Sequence, residues 1–267
     1  MRKTNPLRSD IAWSTADAIG VHGYDLCQDL MGEVNFGDMA FLSVTGRLPN
    51  AGESRLFNAI LVTLVEHGIV PSTLAARLTY AGAPESMQGA VAAGLLGLGS
   101  VFVGSTEGSA KMLAAAIPDG NTIDAATLPS LASAIVLHHR REKLFVPGLG
   151  HPIHKPSDPR TTRLFALAQQ TGFHGSYVAL MQCVSETAST EYGRPLPINA
   201  TGAIGALCCE MGLSWNVSRG LGVMARAVGL VGHVLEEARQ PLSMELWHRT
   251  EDEATAHSRG KLRSGDG

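Results

Sequence analysis

A helical fold is what this sequence predicts, and three observations predict it. Apolar residues recur at spacings of three and four in several stretches, which lines them along one face of a helix. Residues 86–115 are rich in Ala, Gly and Leu, a composition that lets helices pack closely. Gly and Pro stop the periodic stretches, as at Gly46 and Pro49 and again at Gly68 and Pro71.

At 267 residues, 45% hydrophobic and 17% charged, the chain can bury one large core or two unequal lobes. The formal net charge is −3 and no long run of Lys or Arg occurs, so neither a nucleic-acid partner nor an anionic membrane surface is expected. Cys27, Cys183, Cys208 and Cys209 lack CxxC spacing and two are adjacent, which argues against a zinc site and a disulfide framework; no metal is expected, and a reducing cytoplasm fits. Arg2, Lys3 and Arg8 are not followed by an apolar signal region, and apolar runs break well before the roughly 18 positions a membrane span needs. The expectation is a soluble, unexported protein.

Taken in order, residues 1–20 are polar and mixed and read as an extended arm or short helix lying on the body. From Asn35 to Pro49 a short helix is expected, with Phe36, Met39 and Ala40 available for burial. The next helix, from about Ser54 to Glu66, puts Phe57, Ile60, Leu61, Leu64 and Val65 on an inward face and ends near His67. Residues 107–197 read as several shorter helices, broken at Pro118-Asp119-Gly120-Asn121, Pro156 and Pro159. His138-His139-Arg140-Arg141 looks like a metal or phosphate site, but adjacent helical side chains point about 100° apart, so a solvated basic helix end is expected. The closing helix, about Ser218 to Glu237, carries Leu221, Met224, Val228, Val231 and Leu235 as a buried stripe, with Arg226 and His233 off it. The tail from about Thr250 is charged and reads as mobile or draped on a partner subunit.

The chain is organised around the segment from Phe145 to Arg160, where two glycines and four prolines surround His151. Such backbone forms neither a long helix nor an ordinary strand. Gly148 and Gly150 permit tight turning or close approach to a ligand, and Lys155 and Arg160 bring positive charge near a titratable imidazole. A loop of this kind suits an anionic substrate, although Gly-Pro punctuation alone also describes any connection between helices.

Pro147-Gly148-Leu149-Gly150-His151, the following Lys155 and Asp158-Pro159-Arg160 resemble the active-site loop of the citrate synthase superfamily. Further segments share the resemblance: Gly46-Arg47-Leu48-Pro49, Glu66-His67 through Ser72-Thr73, Ile198-Asn199-Ala200-Thr201-Gly202, and Ala225-Arg226 through Gly232-His233. The resemblance implies an all-α, two-domain fold with the active site in the interdomain cleft. Residues 1–106 and 198–267 would form the large domain and residues 107–197 a small domain carrying the His151 loop. It implies a homodimer or dimer of dimers and no tightly bound cofactor, with coenzyme A entering as part of the substrate.

By the same resemblance His67 and His151 are catalytic and contact the oxaloacetate part of the substrate, and Arg160 and Arg226 bind its carboxylates. Guanidinium groups suit that two-point role. A histidine near its ordinary pKa of about 6.5 suits proton removal from a tertiary hydroxyl, so His151 is given that task. Lys155 stands where the family places a basic residue for the phosphates of CoA, and Gly148 to Gly150 would supply main chain for the adenine end.

Two departures matter. Phe102 and Val103 replace the histidine with which citrate synthases bind the thioester oxygen; the aromatic replacement, together with Gly94-Leu95-Leu96 and Ala110-Lys111-Met112, resembles citryl-CoA lyases and the citrate synthase-like C-terminal domain of ATP citrate lyase. Thr201 stands where the family keeps its catalytic aspartate, so it is counted with His151 and His67 among the catalytic candidates, but it cannot ionise near neutral pH. The implied activity is cleavage of citryl-CoA, or a related 3-hydroxyacyl-CoA, to acetyl-CoA and oxaloacetate. A condensing acyltransferase and a non-catalytic binder of acyl-CoA or polycarboxylates are the alternatives.

Overall fold

A computed structural model describes residues 7–101, 103–117, 123–151 and 154–260. Phe102, the break at residues 118–121 and Pro152 within the loop lie outside the described residues. The described residues are 64% helical with few strands, the helical fold that the resemblance implies. No helix among the described residues is long and apolar enough to cross a membrane.

The described start of the chain is a small antiparallel sheet rather than an arm or helix. Strands β1 (Ala12–Ser14), β2 (Ile19–Val21) and β3 (Tyr24–Asp25) pair in that order, with Trp13 opposite Gly20. Gly20 leaves the space that the Trp13 ring fills. Asp25 then caps a π-helical turn, Leu26–Leu30.

Helix α1 (Phe36–Thr45) starts at Asn35, whose side chain accepts the Asp38 amide, and stops at Gly46 in the left-handed conformation. Phe36 lies at its first position and is exposed, contrary to expectation; Ala40, Phe41 and Leu42 carry the buried face. In α2 (Ala51–Val65) the inward face holds Leu56, Phe57 and Ile60, while Leu61, Leu64 and Val65 are half-buried. Phe41 and Phe57 meet edge to face, 5.1 Å between centroids.

Contacts divide the chain into two units. One takes in the chain up to Leu64 and from Ser100 to Gly222; the other is Val65–Gly99 and the chain from Val223 onward. Residues 107–197, the expected small domain, fall wholly within the first.

In the first unit α5 (Gly104–Ala116) packs on α9 (Ala200–Glu210), where Gly205 lets Ser109 approach closely. Helix α6 (Leu128–Arg141) packs on α8 (Ser176–Glu191), which with α7 (Pro159–Thr171) also meets α9. Helix α9 is buried along nearly its whole length, so its N-terminus is held firmly. The basic end of α6 is largely exposed, as its sequence implies.

In the second unit α3 (Pro71–Gly82) packs on α4 (Met87–Leu96), and Gly94 admits Leu230 from α10 (Val217–Arg239). Helix α11 (Ser243–Thr255) packs on α3. The predicted stripe of α10 is displaced: Leu221 is buried, but Val228, Val231 and Leu235 are exposed. The face turned inward holds Ala225, Gly229, Leu230, Val234 and Glu237. Glycine and a paired glutamate are as much a packing surface here as valine, so apolar residues alone mark the wrong side.

Candidate active site

In the first unit the His151 loop is pinned onto the start of α9. Gly148 and Gly150 both have positive φ, 84° and 75°, where glycine avoids the usual Cβ penalty. Leu149 bridges Ile198, Gly150 donates its N–H to the Pro197 carbonyl at 2.7 Å, and the Gly148 carbonyl accepts the Asn199 amide at 3.0 Å. Asn199 is the hub. Its Oδ1 accepts the amides of Thr201 and Gly202, capping α9, while its Nδ2 donates to the Gly150 carbonyl at 2.7 Å. The main chain of both loop glycines is therefore engaged by the protein itself.

Thr201 sits in the first turn of α9. Its hydroxyl donates to Asn199 Oδ1 at 2.6 Å, so the 2.6 Å contact with the Ser105 hydroxyl has Ser105 as donor. Asn199 lies in a segment that carries the family resemblance but is given no role by the sequence, and neither is Ser105, because short polar residues at helix starts are ordinary caps.

His151 accepts the His154 amide at Nδ1, 3.1 Å away, and its ring stacks on that of His154 with 4.4 Å between centroids. A neutral ring bonded in this way carries its proton on Nε2. In that tautomer His151 offers a donor to a substrate oxygen rather than a base. The base role expected from sequence needs the opposite tautomer, whose Nδ1–H would face the His154 N–H.

Asp158 caps α7 and is 1% exposed. It accepts both the Arg160 side chain, Nε at 3.0 Å and Nη2 at 2.8 Å, and the backbone amides of Arg160 and Ala200 at 3.0 Å. Burial alone would raise its pKa. The hydrogen bonds and charge of Arg160, with the Ala200 amide, outweigh burial and lower it to about 2. One edge of the Arg160 fork is thus fixed, and the edge through Nη1 remains for a second carboxylate.

Beside the loop lies a cavity of about 970 Å³. Gly150, His151 and Lys155 line it, with Phe145 and Leu196 as apolar wall and Arg140, Lys143 and Arg194 as further cations. The sequence pointed to Lys155 alone among these cations. The others come from the end of α6 and the turn after α8, and only folding brings them together.

The second unit holds the other two predicted residues. His67 follows α2, its amide donating to Glu66 Oε2 at 3.2 Å. Arg226, on α10, is half-buried, and its Nη1 is buried without a hydrogen-bond partner among the described residues. Burial lowers its pKa, partly countered by the charge of Glu66. An unpartnered buried guanidinium nitrogen is costly, which fits a group kept for an anion.

A mainly helical chain with this glycine-histidine loop seated on a helix N-terminus has the architecture of citrate synthases. Residues 28–246 match the family described as citrate synthase, C-terminal domain, and the chain belongs to the citrate synthase family. Its structure is similar to citryl-CoA lyase from Hydrogenobacter thermophilus, with 30% identity, a TM-score of 0.81, and coverage of 98% of this chain and 96% of that one. It shares its fold with ATP citrate lyase from Methanothrix soehngenii, solved in complex with citrate and coenzyme A; identity is 20%, the TM-score 0.71, and the match covers 90% of this chain and 40% of that one. The probable ATP-citrate synthase of Dictyostelium discoideum is 24% identical over 255 residues, 90% of this chain but 39% of the relative's length.

Proposed function

We propose that this chain is a citryl-CoA lyase, cleaving citryl-CoA to acetyl-CoA and oxaloacetate. The observation that carries this reading is the end-to-end likeness to the Hydrogenobacter thermophilus lyase, which spans nearly the whole of both chains. The cavity beside His151 supports it. Its cations suit the phosphates of coenzyme A, and its apolar wall suits the pantetheine and adenine parts.

In this reading His151 holds the substrate's tertiary oxygen through Nε2–H, His67 takes the proton of that hydroxyl as the carbon-carbon bond breaks and the carbonyl forms, and the departing enolate takes a proton onto carbon from water. Arg160, fixed by Asp158, and Arg226, left unpaired at Nη1, each take a substrate carboxylate. His67 orients the oxaloacetate part, as in the family. We also carry over a cytoplasmic homodimer or dimer of dimers.

The non-catalytic binder is the second reading, and the hydrogen-bond chain at Thr201 favours it. A hydroxyl whose proton is given to Asn199 supplies nothing to the departing enolate. An assay of the purified chain with citryl-CoA separates the two. Stoichiometric acetyl-CoA and oxaloacetate, falling by about 10²- to 10⁴-fold in His151→Ala, is the expected result. Coenzyme A binding with no turnover would leave the binder.

A further inference from the structure

In the second unit the carboxylate of Glu66 has a choice of partners. It lies over Gly229 of α10, where an added β-carbon would come within 2.6 Å of Glu66 Oε1. Arg226 lies three residues before Gly229 and His233 four after, so both share the face that Glu66 covers. Glu66 is hydrogen-bonded to His233, not to Arg226. Its Oε2 is 3.0 Å from His233 Nε2 and accepts the amides of His67 and Gly68 at 3.2 Å.

His233 is held in the state that makes this possible. Its Nδ1 is 3.0 Å from Nη2 of Arg77, and an arginine only donates, so the neutral ring carries its proton on Nε2, pointing at Glu66. Arg77 is 1% exposed and is anchored in turn by Glu236 and by Glu237 Oε2 at 2.9 Å. Glu237 also accepts the Ser243 amide and hydroxyl, which ties the arrangement to the start of α11.

We propose that His233 is a positioning residue: by holding the Glu66 carboxylate it keeps Arg226 unpaired and ready for an anionic substrate. Three N–H donors draw the Glu66 carboxylate off the guanidinium, which would otherwise take it as a counter-ion. Two opposite charges meeting over the same face of α10, with the carboxylate bonded to a nearly buried histidine instead of the guanidinium, are otherwise a poor arrangement: the simple ion pair would satisfy both. Removing the His233 donor releases Glu66 to occupy the clamp. The inference rests on the reading of Arg226 as a carboxylate binder.

The test is the affinity of the full chain for oxaloacetate and citrate, measured by calorimetry, in five variants. Arg226→Gln tests the underlying reading, and a loss of about tenfold or more is expected; unchanged affinity would remove the clamp and with it the inference. His233→Phe is expected to weaken binding by a similar factor, because Glu66 then pairs with Arg226. His233→Gln, whose amide can both accept from Arg77 and donate to Glu66, should restore much of the affinity. Glu66→Gln should bind as well as the natural chain, and adding Glu66→Gln to His233→Phe should rescue the loss. If Arg226→Gln loses binding but Glu66→Gln alone weakens it tenfold, or the double variant is no better than His233→Phe, Glu66 is no competitor and the proposal is overturned. Glu66→Gln is close to isosteric, so that arm stands even if His233→Phe does not fold.

Discussion

The backbone of Gly148 rests directly on that of Gly202. A β-carbon on Gly148 would lie within 3.0 Å of the Gly202 nitrogen, and one on Gly202 within 2.8 Å of Met181 Cε while overlapping the Gly148 carbonyl. This contact lets the loop reach Asn199 and holds His151 at the N-terminus of a buried helix. Gly202→Ala is expected to destabilise the chain by about 1–3 kcal/mol, the usual cost of overpacking, and to weaken coenzyme A binding as the loop lifts. Gly148→Ala should cost more, since a side chain there also meets an unfavourable φ of 84°. Thermal melts of both variants check this; wild-type stability in Gly202→Ala would mean that the loop is not seated on α9.

Asp158 makes stability depend on acid. Its pKa, about 2, lies below the ordinary 3.8, so its contribution is fully present above pH 4 and is lost as pH falls through 2. A displacement of that size corresponds to about 2 kcal/mol. Asp158→Asn should therefore be less stable by about that amount at pH 7, and the gap to the natural chain should close between pH 4 and pH 2. Denaturant melts across that range test it, and a gap independent of pH would assign the loss to packing instead.

The sequence made the helical class and the loop legible because both rest on local rules: three-four periodicity, Gly-Pro punctuation and a contiguous motif. What it hid is non-local. Asp158 was visible as part of Asp-Pro-Arg, yet nothing in the chain says that its carboxylate reaches Ala200, 42 residues on. Arg140 reads as a solvated helix end, and the fold places it on the cavity wall. The face of α10 is hard to read in sequence because Gly229 and Glu237, which pack inward beside Ala225, Leu230 and Val234, give no apolar signal.

The cavity cations should act together on phosphate. Lys155→Ala and Arg194→Ala are each expected to weaken coenzyme A binding by about 3- to 10-fold at low salt, with smaller effects at high salt where solvent-exposed charges are screened. Titrations at two ionic strengths decide the matter. Losses that do not shrink with salt would point to a shape change in the loop rather than to charge.

Thr201 is where chemistry and architecture compete. Its hydroxyl accepts from Ser105 and donates to Asn199, whose amide nitrogen holds the Gly150 carbonyl, so the hydroxyl is one link in the chain that seats the loop. Thr201→Val keeps the shape and removes the link; we expect a stability loss of about 1–2 kcal/mol with citryl-CoA turnover reduced less than tenfold. Thr201→Asp sets a carboxylate against Asn199 Oδ1, and turning the amide to relieve that contact would give up the bond to Gly150. Lower stability without a large gain in rate is therefore expected. A drop of about 10²-fold or more in Thr201→Val would instead make the hydroxyl a participant in proton transfer. A large gain in Thr201→Asp would show that the loop can re-form around a carboxylate and that threonine limits the natural enzyme.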